Sequence, residues 1–84
     1  MFYVYVLKSL KNGDIYIGRT DDLKKRLKRH SGGFARSTKL NRPWKLVYYE
    51  AYLDKKDSTK REKQLKMHKP KSDLKLQIKN SLDF

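Results

Sequence analysis

The segment Phe2-Tyr3-Val4-Tyr5-Val6-Leu7 is β-branched, aromatic or aliphatic at every position. A strand turns alternate side chains to opposite faces, so a run that is apolar throughout is buried on both. Such a strand belongs in the middle of a sheet, and the rest of the chain must supply a layer on each side. The pair Asn12-Gly13 follows at hairpin distance. Both residues tolerate the positive φ of a type I′ turn, which makes Ile15 to Thr20 the antiparallel partner. A two-residue loop opposes Lys11 to Asp14, Leu7 to Gly18 and Tyr5 to Thr20. Odd positions of the first strand then share a face with even positions of the second. Tyr5 and Tyr16 project from that common face, with the Leu7 and Gly18 pair between them and an empty space at Gly18.

The remaining elements follow from periodicity and capping. Thr20 or Asp21 opens a helix that runs to about His30, with acids at its positive end and Lys28, Arg29 and His30 at its negative end. On its wheel Leu23 and Leu27 form the apolar stripe, and Arg26 and His30 alone border it. Ser31-Gly32-Gly33 ends the helix and begins a basic loop to Pro43; Trp44 to Leu53 reads as a third strand. Asp57 or Ser58 opens a second helix in which Glu62, Leu65 and Lys66 share a face. Pro70 breaks it, and a last helix from about Ser72 presents Leu74, Ile78 and Leu82 at i, i+4 and i+8. The expectation is an α+β fold with a small three-stranded antiparallel sheet flanked by helices, in the order β-β-α-β-α-α. It forms one domain over residues 1–84, because a chain this short cannot bury a second core.

Charge bounds the function. The chain holds 22 Lys and Arg against 9 Asp and Glu, a formal charge of +13 spread along its length. Such a surface attracts polyanions, nucleic acid first among them. No stretch approaches the roughly 18 apolar residues that span a bilayer, and the first apolar run is too short for a secretory signal. With no cysteine, disulfides and thiolate zinc sites are excluded. A cytoplasmic location is expected.

The triplets Tyr3-Val4-Tyr5 and Tyr16-Ile17-Gly18, the helix carrying Arg26 and His30, and the later segment Lys60-Arg61-Glu62-Lys63-Gln64-Leu65-Lys66 together resemble the GIY-YIG nuclease superfamily. The segment Pro43-Trp44-Lys45-Leu46-Val47-Tyr48-Tyr49-Glu50 is similar to its small stand-alone bacterial branch. The resemblance implies a catalytic set of Tyr5, Tyr16, Arg26, His30 and Glu62. Tyr5 would be the base, Tyr16 would position the phosphate or the water, His30 would assist proton transfer, and Glu62 would bind one Mg²⁺ or Mn²⁺. The first triplet departs from Gly-Ile-Tyr. Ser37 stands where relatives often carry a tyrosine, and Asn80 is the candidate for the asparagine of the last helix.

These residue types suit phosphodiester hydrolysis on physical grounds. The reaction needs a deprotonated nucleophile, cancellation of charge growing on the phosphoryl oxygens, and stabilisation of the leaving alkoxide. A single carboxylate such as Glu62 suits a hard cation that keeps most of its waters and takes further ligands from the substrate phosphate. Arg26 offers a planar fork matched to phosphate oxygens. A free tyrosine has a pKa of about 10, so Tyr5 acts as a base only if nearby cations favour its ionised form.

Lys24, Lys25, Lys28 and Arg29 on the helix, Arg36, Lys39 and Arg42 in the loop, and Lys66 are candidate phosphate contacts, with Phe34 placed to stack on an exposed base. The sequence contains no zinc finger, helix-turn-helix pair or heptad zipper, so branches, flaps and single-strand junctions are expected to be recognised rather than a base sequence. The leading reading is a metal-dependent endonuclease acting on structured DNA, with RNA as the other polyanion that fits and a protein partner or a homodimer supplying specificity. The alternative is a non-catalytic nucleic-acid-binding module that retains the fold, and a small RNA- or ribosome-associated protein shares the charge.

Overall fold

The computed structural model describes residues 1–33 and 38–83. Three antiparallel strands form the sheet: β1 (Phe2–Ser9), β2 (Ile15–Thr20) and β3 (Trp44–Tyr52), in the spatial order β2-β1-β3. The fully apolar strand is central as its composition requires, and Val4, Tyr5, Val6 and Leu7 are all buried. Helix α1 (Leu23–Ser31) covers one face. Helices α2 (Lys55–Leu65), α3 (His68–Gln77) and the short α4 (Lys79–Leu82) cover the other, where Leu65, Leu74 and Ile78 pack on Val4, Val6 and Ile17. The architecture is α+β in the expected order, with the last helix divided at Ile78.

The hairpin differs from expectation in its turn. The loop holds four residues, Leu10 to Gly13, closed by a backbone bond from Ser9 N–H to the Asp14 carbonyl and another from Gly13 N–H to the Ser9 carbonyl. Within this loop only Gly13 has positive φ (79°), so Asn12 does not take the type I′ conformation. Ser9 Oγ accepts from the amides of Lys11 and Asn12, and Asn12 Oδ1 accepts from Asp14 N–H, which holds the wider loop. The partners on β2 therefore move by two residues toward the turn: Tyr5 opposes Gly18 and Leu7 opposes Tyr16. Parity is unchanged, so Tyr5 and Tyr16 still share a face.

Three helix starts also differ, and the third is α3, which begins at His68 rather than about Ser72. Asp22 caps α1 by accepting from Lys25 N–H at 3.0 Å, while Thr20 is spent on Asp22 itself. Asp54, not Asp57 or Ser58, caps α2. Pro70 lies in the first turn of α3, where a missing N–H leaves no helical bond unmade, and α2 already ends at Leu65.

Candidate active site

Strand β2 is a sheet edge, and its alternation divides the site residues between two faces. Tyr16, Gly18 and Thr20 turn toward α1 with Tyr3, Tyr5 and Leu7; Ile15, Ile17 and Arg19 turn toward α2. The rings of Tyr5 and Tyr16 lie 6.3 Å apart and close over Gly18. A Cβ at Gly18 would stand 2.5 Å from the Tyr5 hydroxyl and 3.0 Å from a Tyr16 ring carbon, so the glycine is required by close approach. The departure from Gly-Ile-Tyr is absorbed locally, since Tyr3 packs edge-on against Tyr49 and leaves Tyr5 in register.

Behind the tyrosines lies a buried polar chain. His30, 2% exposed, bonds the Tyr5 hydroxyl through Nε2 at 2.9 Å and Thr38 Oγ1 through Nδ1 at 2.6 Å. A neutral imidazole has one donor and one acceptor nitrogen, which suits one hydroxyl on each side. Burial lowers the His30 pKa from its ordinary value, and the charges of Arg26 and Arg29 lower it further. Tyr5 is fully buried and its pKa is pushed up to about 12, first by desolvation and then by Tyr16. Arg26 pulls it down by charge and hydrogen bonding, but not enough to offset burial. Within the protein alone, burial thus works against the ionised form that a base role for Tyr5 requires. Tyr16 is half-buried and lines an open cleft beside the hairpin.

Arg26 is half-buried at the border of the α1 stripe and, with Arg29, Lys25 and Thr20, lines a small cavity of about 170 Å³ at the end of β2. Glu62 approaches from the opposite side of the edge strand. Its carboxylate is 21% exposed and lies 3.9 Å from Arg19 Nε and 3.4 Å from Lys66 Nζ. Both contacts are long, which leaves its oxygens able to accept a cation. Among the described residues no three His, Cys, Asp or Glu side chains converge on a common point. The donor set for a metal is thus one carboxylate, which fits Mg²⁺ or Mn²⁺ completed by waters and substrate oxygens.

Two features went unread in the sequence. Arg19 Nε is buried without a hydrogen-bond partner, an unsatisfied donor beside Glu62 on the sheet edge. The strand parity and the position directly after Tyr16-Ile17-Gly18 would have pointed to it. Glu50 on β3 accepts from Arg61 Nε at 2.9 Å and Nη2 at 3.0 Å, from Tyr48 at 2.5 Å, and from Tyr52. Burial opposes the Glu50 charge, but bonds from Arg61, Tyr48 and Tyr52 outweigh it and hold the carboxyl below its ordinary pKa. The same bonds, after burial, push the two tyrosines up to about 12. The fork from Arg61 fixes α2 against β3 and so orients Glu62, its neighbour in sequence.

The basic residues are spread more widely than the buried set. Lys24, Lys25, Lys28 and Arg29 are exposed on the outer side of α1, and Lys39, Arg42 and Lys66 are exposed as well. The Arg42 guanidinium lies against Gly33. Phe34, Arg36 and Ser37 lie outside the described residues. Asn80 is exposed on α4, which packs chiefly on α3 and β3 rather than on β2. No helix of the described residues is long and apolar enough to cross a membrane.

A tyrosine pair over a glycine on an edge strand, with an arginine from one flanking helix and a glutamate from another, is the arrangement that the sequence resemblance implies. The GIY-YIG catalytic domain family matches residues 1–75, and the chain belongs to that nuclease-type family. It is 39% identical over 75 residues to a UPF0213 protein of Staphylococcus saprophyticus, covering 88% of this chain and 90% of the relative. A UPF0213 protein of Clostridium perfringens is 42% identical over 67 residues, covering 79% and 71%. The solution structure of a UPF0213 protein from Bacillus halodurans is similar with a TM-score of 0.57 and 32% identity, over 94% of this chain and 86% of that one.

Proposed function

We propose that the chain is a metal-dependent endonuclease that hydrolyses phosphodiester bonds in structured DNA at the outer edge of β2. The observation that supports it most is the convergence on one edge strand of Tyr16, the buried unpaired donor of Arg19, Arg26 and Glu62. Arg26 presents N–H groups to the phosphoryl oxygens, where negative charge grows as the bond breaks, and Arg19 adds positive charge beside Glu62. Tyr16, on the accessible side of the pair, orients the attacking water, whose proton passes to solvent. Tyr5 and His30 act behind it by holding the Tyr16 ring, and the Tyr5–His30–Thr38 chain fixes their own orientation. Glu62 would hold the divalent cation, which supplies charge cancellation at the phosphate and stabilises the leaving alkoxide.

The test is incubation of labelled single-stranded, duplex, flap and branched DNA and RNA with Mg²⁺ or Mn²⁺, comparing the wild type with Glu62→Gln and Arg26→Ala. Cleavage by the wild type that is lost in both variants while binding persists is the expected result. Intact substrates with salt-sensitive binding in all three proteins would instead favour a module that binds nucleic acid without cutting it.

A further inference from the structure

Next to Tyr16 the proposed chemistry leaves unused a cleft of about 420 Å³ on the β2 edge near the hairpin. Tyr16, Trp44 and Asn41 form one side, and Lys71 and Lys75 of α3 form the other. The volume falls within the roughly 300–1,000 Å³ of sites that hold small organic ligands.

Its walls have the two chemistries of a nucleotide. The Trp44 and Tyr16 rings stand edge to face, 6.2 Å between centroids, so neither leaves a gap for intercalation but each offers apolar surface to the cleft. Trp44 Nε1 already donates to Thr38 carbonyl oxygen at 2.7 Å, which fixes the indole and leaves it to act by stacking alone. Asn41 Oδ1 accepts from Asn12, which leaves the Asn41 amide N–H groups for a ligand. Lys71 and Lys75 are one helical turn apart on one face of α3, and neither is in an ion pair among the described residues. Their mutual repulsion is relieved by an anion between them, and Asp14 is the one acid on the lining.

We infer that this cleft is a subsite for one unpaired nucleotide, its base stacked on the Trp44 and Tyr16 surface and its phosphate on Lys71 and Lys75. A base in a duplex is covered by its neighbours, so only a single-stranded segment can reach the rings. From Tyr16 the edge strand runs about 13 Å to Thr20 and the cavity beside Arg26. A strand laid along β2 therefore meets the stacking cleft first and the phosphate-binding arginines next. The subsite rests on the nuclease reading for its place beside the scissile bond, and it narrows the substrate to nucleic acid with an unpaired stretch next to the cut.

Trp44 is the sole tryptophan, so its emission reports on the cleft alone. The experiment titrates the wild-type protein, with chelator present, with oligothymidylate or oligouridylate of about six nucleotides, a matching abasic strand and a blunt duplex. Labelled-strand anisotropy is followed beside Trp44 emission. The expected result is loss of emission with an intact single strand, and none with the abasic strand or the duplex; the stronger of the deoxy and ribo strands names the preferred sugar. The variant Lys71→Ala/Lys75→Ala, shown to be folded by circular dichroism, binds the strand about tenfold more weakly, with a log–log salt slope shallower by about 0.7. Unchanged emission at saturating strand, equal loss with abasic strand or duplex, or unchanged affinity in the double variant overturns the subsite. Because no cleavage is read, these outcomes are independent of whether the protein cuts.

Discussion

The two faces of β1 are built from alternate residues of one short strand, yet their interiors differ in kind. Val4 and Val6 look into an aliphatic layer with Ile17, Leu65, Leu74 and Ile78, whereas Tyr5 looks onto His30 and Thr38. The first layer is non-directional and derives its stability from area removed from water. The second depends on fully partnered hydroxyls and an imidazole, because a buried polar group without a partner is costly. The lesson is that the aliphatic face carries stability and the polar face fixes geometry, with the site on the edge strand that both faces share.

That contrast can be broken from either side. The largest effect is expected from Leu65→Ala, which empties a fully buried position and should cost about 2–5 kcal/mol in chemical denaturation. Below its melting point the variant should keep the affinity of the wild type for nucleic acid. Arg26→Ala should do the converse, leaving thermal stability nearly unchanged while single-turnover cleavage falls about 10²–10³-fold. His30→Ala removes the bonds that the imidazole makes to the buried Tyr5 and Thr38 hydroxyls, at about 1–3 kcal/mol of stability. Tyr5 ring mobility, read by NMR line shape, should rise in that variant and not in Leu65→Ala.

The smallest effect is in pH dependence. The folded-state pKa of His30 is below its ordinary 6.5, so the unfolded chain binds the proton more readily. The stability this contributes is complete above about pH 6.5 and is lost as pH falls through that value toward the lower folded one. His30→Gln should remove that slope. Glu50 has its carboxyl held below 4.5, and its contribution is full above that value and lost only as pH falls through the folded one. The two sides of the sheet should thus give separate steps in urea midpoints measured against pH.

Much of this was legible in the sequence because it follows from period and parity. The unbroken apolar run placed β1 in the centre, and the wheel of α1 put Arg26 and His30 on the border of its buried stripe. The exact hairpin register was not legible, since Asn12-Gly13 suits a two-residue loop, and Ser9 and Asn12 side chains decide for four. The starts of α1 and α2 were misplaced by one to four residues because neighbouring acceptors at 20–22 and 54–58 all suit a cap. The burial of Tyr5 was not legible, because only tertiary packing shows the desolvation that raises its pKa. Thr38, Arg19, the Glu50 and Arg61 pair and the lysines of α3 gain meaning only from partners far away in the chain.

The central claim is that the accessible tyrosine of the edge strand, and not the buried one, faces the reacting water. Single-turnover cleavage of flap DNA with Mn²⁺, measured in parallel for the wild type, Tyr16→Phe and Tyr5→Phe, tests it most directly. The account predicts a loss of about 10²-fold or more in Tyr16→Phe, with Tyr5→Phe within about tenfold of the wild type. A larger loss in Tyr5→Phe than in Tyr16→Phe, or no cleavage by the wild type, would contradict it.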